Sequence, residues 1–255
     1  MSTGVVLLVI DALNLIRRVH AASPDDALRQ SVSSLKRALR QCSPTHAVSV
    51  FDGSGPTFRH ELYPNYKAGR KPMPEDLRSN LDSYRDAFAE NGVVSVSREE
   101  LEADDVAATL ATKVTERNGN AVILSTDKVY CQLLSLGVTL RDHFGNADID
   151  ESYVNEKFGV PSTKLVELWA LAGSGSTHIP GIPGIGIKTG AKLLTEHETL
   201  DGVLDAAERG DIAGKVGESL VRDQALARLS AQLAALRTEL SLGWNLRSFR
   251  YESKS

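Results

Sequence analysis

Cysteine is almost missing from this chain of 255 residues: Cys42 and Cys131 stand far apart, without the short spacing of a thiolate metal site. No disulfide framework or zinc knuckle follows from them, and a reducing compartment is the expected setting. An excess of positive charge is missing as well. With a net charge of -4, the protein casts no global field that draws in nucleic acid, so any grip on phosphates must come from local patches. Long apolar runs are also absent. The run at residues 5–10 is too short for a membrane span or a secretory leader, and Asp11 ends it. A soluble, cytoplasmic protein is therefore expected. The histidines (His20, His46, His60, His143, His178, His197) are scattered, with no serine elbow or partner arrangement for nucleophilic catalysis. No repeat or low-complexity segment occurs. What is present is a composition 42% hydrophobic and 24% charged, ordinary for one large globular domain or one domain with a smaller companion.

Strand-like and helix-like runs alternate through the first part of the chain. Residues 5–10, 47–51, 93–96, 121–125 and 138–141 read as strands, the first a continuous apolar run suited to a strand buried on both faces. Helices are expected from Ser23-Pro24 to about Gln41, from Pro74 to Asn91 with Gly92 as its stop, and after the acidic stretch to about Arg117. Alternation of this kind gives an α/β fold, a mostly parallel sheet with flanking helices. Beyond about residue 162 only helical patterns remain, interrupted by a Gly/Pro-rich segment at 173–190. A boundary is expected near residue 160, separating a domain 1–160 from a smaller helical region 161–255. A core-facing helix is expected over 225–240, and a frayed charged tail from Arg247 onward.

The sequence Leu101-Glu102-Ala103-Asp104-Asp105-Val106 crowds carboxylates just ahead of a helix-like run. Like charges this close disfavour joint ionisation unless a cation sits among them. The competing reading is simple complementarity to the positive N-terminus of the helix. Other acids weigh against it, because Asp11, Asp52 and Asp127 each follow a strand. In open parallel sheets the carboxyl ends of the strands form one edge, where ligands bind, so these acids can meet Glu102, Asp104 and Asp105 there. Asp142 also follows a strand-like run. An all-oxygen set points to Mg²⁺ or Mn²⁺ rather than zinc, and to phosphoryl transfer or phosphodiester hydrolysis.

The segment 179–194 is glycine-rich, but Ile187 breaks the P-loop spacing and Gly190 falls one residue late for a dinucleotide fingerprint. It matches a helix-hairpin-helix, in which Gly184, Ile185, Gly186, Ile187, Lys188 and Thr189 present backbone N–H groups and positive charge to a DNA phosphate. The alternative is a plain helix-helix turn. In the loop after Asp52, Phe58-Arg59-His60 and Tyr66-Lys67-Ala68-Gly69-Arg70-Lys71 combine cations with rings, a combination suited to single-stranded DNA, or else form a solvated charged loop.

Taken together, Asp11-Ala12-Leu13-Asn14, Val50-Phe51-Asp52-Gly53, Tyr66-Lys67-Ala68-Gly69-Arg70, Glu102-Ala103-Asp104-Asp105, Ser125-Thr126-Asp127-Lys128 and the segment 179–194 resemble, in order and spacing, the 5′-nuclease family of flap endonucleases and 5′–3′ exonucleases. The resemblance implies a PIN-like nuclease domain, an arch or clamp near residues 66–90, and a helix-three-turn-helix at about 171–194. It further implies K⁺ held by the carbonyls of Leu171, Ala172, Pro180, Ile182 and Ile185, with Lys67 and Arg70 as catalytic groups on the scissile phosphate. The activity implied is that of a monomeric, Mg²⁺-dependent nuclease on 5′-flapped or branched DNA in replication and repair. One departure matters. Val129, Ser174 and Thr177 stand where relatives with a full two-metal site carry aspartates, which leaves room for a junction-binding protein of decayed activity. A PIN-type ribonuclease is the third reading, and the hairpin disfavours it.

Overall fold

The computed structural model describes residues 4–145, 147–175 and 177–252. Six strands make one sheet: β1 (Val6–Asp11), β2 (His46–Val50), β3 (Val94–Val96), β4 (Asn120–Leu124), β5 (Val138–Asp142) and β6 (Ala147–Ile149). Their order is β3-β2-β1-β4-β5-β6; the first five are parallel and β6 runs antiparallel to β5. In chain order the helices are α1 (Ala12–Ala22), α2 (Ala27–Cys42), α3 (Phe58–Leu62), α4 (Glu75–Ser79), α5 (Leu81–Glu90), α6 (Ala103–Thr115), α7 (Glu151–Phe158), α8 (Leu165–Ala172), α9 (Ile187–His197), α10 (Leu200–Glu208), α11 (Gly214–Arg222) and α12 (Gln224–Ala234). None of the helices among the described residues is long and apolar enough to cross a membrane.

Leu7, Leu8, Val9 and Ile10 of β1 are wholly buried, as the unbroken apolar run requires. Alternation sends Leu8 and Ile10 to one face, where they pack with Leu15, Ile16 and Val19 of α1, Leu35 and Leu39 of α2, and Phe88 of α5. On the other side α6 lies across β1 and β4, its buried Ala107, Ala108 and Ala111 allowing close approach.

By its contacts the chain resolves into two compact units, each drawn from more than one stretch of the sequence. The first contains the chain through Gly55, Lys71–Ile149 and the tail from Leu236; the second contains Pro56–Arg70 and Asp150–Ala235. In the second unit α8 packs on α9 and α12, and Gly190 lets α9 settle against Leu168 and Leu171.

Several expectations change in the structure, each for an identifiable reason. A helix, α1, occupies residues that carried no start signal beyond Asp11 itself; that carboxylate both ends β1 and caps α1 by accepting from the Asn14 N–H. The single helix expected over 74–91 breaks at Asn80 into α4 and α5. A further short strand, β6, follows β5. The helix expected over 225–240 stops at Ala234, because tertiary partners take over the backbone. Buried Arg59 donates to the carbonyls of Leu233 and Ala235 at 2.8 Å each, and the next residues leave as extended chain. The tail is not frayed through its described length: Phe249 is buried and the Tyr251 N–H donates to the Thr45 carbonyl.

Removing Arg59 leaves two carbonyls without their charged donor. We expect Arg59→Ala to destabilise the protein by about 3 kcal/mol, seen as a lower urea midpoint; an unchanged midpoint would show that water replaces the guanidinium without loss.

Candidate active site and nucleic-acid interface

At the carboxyl edge of the sheet, β1 and β4 lie side by side, with Ile10 paired to Leu124. Their ends are tied by side chains. Ser125 Oγ donates to Asp11 Oδ2 at 2.9 Å, and Asn14 Oδ1 accepts from both the N–H and the hydroxyl of Thr126 at 3.0 Å. Ser125 Oγ also accepts the Asp127 N–H, and Asp127 Oδ1 accepts from the Val129 N–H at 2.9 Å. Burial pushes the Asp11 carboxyl up to about 7 against the lowering pull of the Ser125 and Asn14 bonds, and the negative charges of Asp127 and Asp52 add to the rise.

Asp52 arrives from the end of β2. Gly53 runs so close to the 98–101 segment that a Cβ would lie 1.7 Å from the Arg98 carbonyl oxygen. This approach, with the Gly53 N–H donating to the Leu101 carbonyl, brings Asp52 Oδ1 to 2.8 Å from the Ala103 N–H at the start of α6. Asp104 sits in that first turn and accepts from the hydroxyl of buried Tyr130 at 3.0 Å. Burial, followed by the charges of Asp11, Asp104 and Asp127, pushes the Tyr130 hydroxyl well above the usual phenol range, so it stays a donor. Asp11, Asp52, Asp104 and Asp127 thus share one electrostatic neighbourhood on the first unit.

The remaining two acids stand differently. Glu102 is the buried N-cap residue of α6 and makes no side-chain cap bond. Asp105 is buried and its Oδ1 accepts from the Arg237 N–H at 3.0 Å. Four residues on, Thr109 donates to the Arg237 carbonyl, and Lys113 after another four donates to that of Leu240. Asp105 therefore belongs to a helical stripe that clasps the returning tail. Among the described residues no group of three or more His, Cys, Asp or Glu side chains is arranged to hold an ion directly. The acids accept from Ser125, Tyr130 and backbone N–H groups and keep further lone pairs, so an all-oxygen set spaced in this way fits a hydrated divalent cation reached largely through water. Sequence reasoning did not single out Tyr130, whose neighbours in the chain carry no signal of its role.

In the second unit α8 and α9 flank the glycine-rich turn. Gly173 and Gly181 have φ of 70° and 61°, and a Cβ on Gly181 would lie 2.2 Å from the Gly173 nitrogen, so this pair serves close packing. Gly184 has φ of 87° and open space around it. Gly186 caps α9 without a side chain, and the first turn holds no acid. The N–H groups of Ile187, Lys188 and Thr189 have no partner within the helix at these positions, and Lys188 is exposed. Of the carbonyls expected to hold K⁺, Leu171 accepts from the Ile182 N–H and Ile182 from the Ile185 N–H, which leaves each a second lone pair. At the two hairpin positions lacking aspartates, Ser174 bonds with Ile179 through the backbone, and the Thr177 carbonyl accepts from the Lys67 N–H.

The basic loop through Arg70 belongs to the same unit and separates into two parts. Arg59, His60 and Tyr66 are not free for a nucleic acid: Arg59 and Tyr66 are buried, and His60 accepts the Thr57 N–H in a capping box. Lys67 is half-buried with φ of 53°, its ammonium 5.2 Å from the Tyr66 ring, and Arg70 is exposed.

The Asp11 shift has a definite sign. An acid that keeps its proton in the folded state to about 7, and releases it near 3.8 unfolded, weakens the metal-free fold as pH rises through that window. We expect Asp11→Asn to be more stable than wild type in chelator at pH 8, by on the order of 2–4 kcal/mol. The gap should close near pH 4, and Mg²⁺ should stabilise only the wild type. Thermal melts measure this, and a pH-independent gap would contradict it.

The chain matches the family models for the 5′-3′ exonuclease N-terminal resolvase-like domain over residues 6–159 and for the 5′-3′ exonuclease C-terminal SAM fold over residues 160–255. It is 42% identical to the flap endonuclease Xni of Photobacterium profundum, covering 98% of each chain. With the protein of that name from Aeromonas hydrophila it shares 41%, over 96% of this chain and 95% of the relative. A solved structure of T5 5′-exonuclease with bound zinc is similar in fold, with a TM-score of 0.77 at 23% identity over 91% of this chain and 90% of that one. With two family models end to end and relatives above 40% along its length, the chain belongs to the 5′-3′ exonuclease and flap endonuclease family, enzymes that hydrolyse the phosphodiester bonds of DNA.

Proposed function

We propose that this protein cuts 5′-flapped or branched DNA as a Mg²⁺-dependent nuclease, with Mn²⁺ able to substitute. The observation that carries the reading is the convergence of Asp11, Asp52, Asp104 and Asp127 on one sheet edge, where Asp11 is left short of positive charge. These four would hold the ion, with Glu102 buried beside them, while Asp105 anchors the tail. When bound, the ion polarises the phosphate and lowers the pKa of a water. The chain's own residues then set the geometry: Ser125 and the Asn14 N–H orient Asp11, Tyr130 orients Asp104, and the Ala103 N–H orients Asp52.

For the substrate, Lys67 and Arg70 supply positive charge to the scissile phosphate, and Gly184 to Thr189 hold a duplex phosphate at the start of α9. K⁺ on the carbonyls of Leu171, Ala172, Pro180, Ile182 and Ile185 would support that hairpin. The protein would act as a monomer in the bacterial cytoplasm, in replication or repair. A second reading, junction binding without efficient cleavage, draws on Val129, Ser174 and Thr177, which offer no carboxylate for a second ion.

Cleavage of a 5′-flap substrate in Mg²⁺ separates the two. Asp104→Ala should lower turnover at least about 100-fold with flap affinity little changed, and equal product from wild type and variant would leave only the binding reading. Replacing K⁺ by a bulky organic cation at matched ionic strength should weaken duplex affinity, and unchanged affinity would reject the potassium site.

A further inference from the structure

The loop after β5 carries features that the acid cluster and the hairpin do not use. Phe144 is 48% exposed, large for an aromatic ring. The backbone that carries it is held, because Asp142 Oδ1 accepts from the N–H groups of Phe144 and Gly145 at 2.8 and 2.9 Å. The Arg18 guanidinium lies 5.4 Å from the centre of the ring. Arg37 of α2 reaches the same loop, donating to the His143 carbonyl at 3.4 Å. Among the described residues neither arginine is paired with a carboxylate.

His143 sharpens the picture. It is 4% exposed, and neither ring nitrogen finds a hydrogen-bond partner among the described residues. Burial, together with Arg18 and Arg37 and against the pull of Asp142, lowers its pKa to about 4. The imidazole is thus neutral, with an N–H to give and nothing present to take it. Buried orphan groups of this kind call for an absent partner. An oxyanion is the group that would satisfy two unneutralised guanidinium groups and an imidazole N–H together. The His143 ring lies 4.6 Å from that of Phe144, tilted by 44°, and the part of the Phe144 ring that stays exposed suits a nucleobase, since only an unpaired base presents its face.

The location fits a nuclease. β5 adjoins β4, whose end carries Asp127, and α1 starts directly after Asp11. Arg18 is seven residues from Asp11, about 10 Å along the helix, within a few nucleotides of the acids.

We propose that Phe144, Arg18, Arg37 and His143 form a docking site for an unpaired nucleotide of the DNA, the ring stacking on the base and the other three holding its phosphate. The site rests on the nuclease reading for the identity of the polymer, but its test does not require cleavage. Binding of a short fluorescein-labelled oligo(dT) is measured by anisotropy in chelator, beside a blunt duplex of equal length. Phe144→Ala should weaken oligo(dT) binding about tenfold and leave the duplex unaffected, and Phe144→Trp should restore it. The double variant Arg18→Ala/Arg37→Ala should flatten the salt dependence for oligo(dT) by about 1.4 in log–log slope. Unchanged oligo(dT) affinity in Phe144→Ala overturns the proposal. So does an equal loss on duplex, which would mark a backbone-only contact. If wild type cuts no flap substrate yet binds oligo(dT) through Phe144, the docking site stands and the nuclease reading falls.

Discussion

Repulsion among carboxylates at the end of the sheet is the constraint around which the first unit is arranged. Parallel strands bring Asp11, Asp52 and Asp127 to the same edge, and the start of α6 adds Asp104. Without compensation, such a cluster protonates or opposes folding. The structure spreads the compensation over separate neutral donors: the Ser125 hydroxyl, the Tyr130 hydroxyl, and the N–H groups of Asn14, Ala103 and Val129. Hydrogen bonds to a charged group contribute about 1.5–3 kcal/mol each. None of these donors cancels the charge, so the edge keeps its negative field and its appetite for a cation.

Helix α6 links this edge to the rest of the unit. Its alanines let it lie close on β1 and β4, which fixes where its first turn points. Its Asp105, Thr109 and Lys113 stripe holds the tail backbone from Arg237 to Leu240, and the tail is held again where Tyr251 meets Thr45. The tail thus acts as a strap over the helix that carries Asp104. Packing of the tail and the aim of the Asp104 carboxylate are then the same structural problem.

Much of the architecture was readable because its signals are local. The unbroken apolar run of β1, the acids after strands and the glycine turn before α9 each carry their own physical reason. What escaped were roles decided by partners distant in sequence. Asp105 looks identical to Asp104 in the chain, and only the return of Arg237 separates them. Leu236 and Leu240 continue the helical spacing of α12, yet Arg59 and α6 claim the backbone first. Arg59 itself read as a surface cation, although its guanidinium is the buried end-cap of a helix. Helix α1 was hidden because one residue, Asp11, closes the strand and opens the helix with no loop between them.

The glycines of the hairpin show how a motif can hold two physical demands at once. Gly173 and Gly181 are compelled by backbone contact, so they shape the turn whether or not DNA is bound. A Cβ on Gly184 or Gly186 would meet nothing within 4 Å among the described residues, and at 186 the φ is not strained either. A residue kept small where the fold does not ask for it leaves space for something outside the fold. Under the proposed duplex grip, a phosphate at the start of α9 would meet the N–H groups of Ile187, Lys188 and Thr189 and gain both hydrogen bonds and the helix dipole.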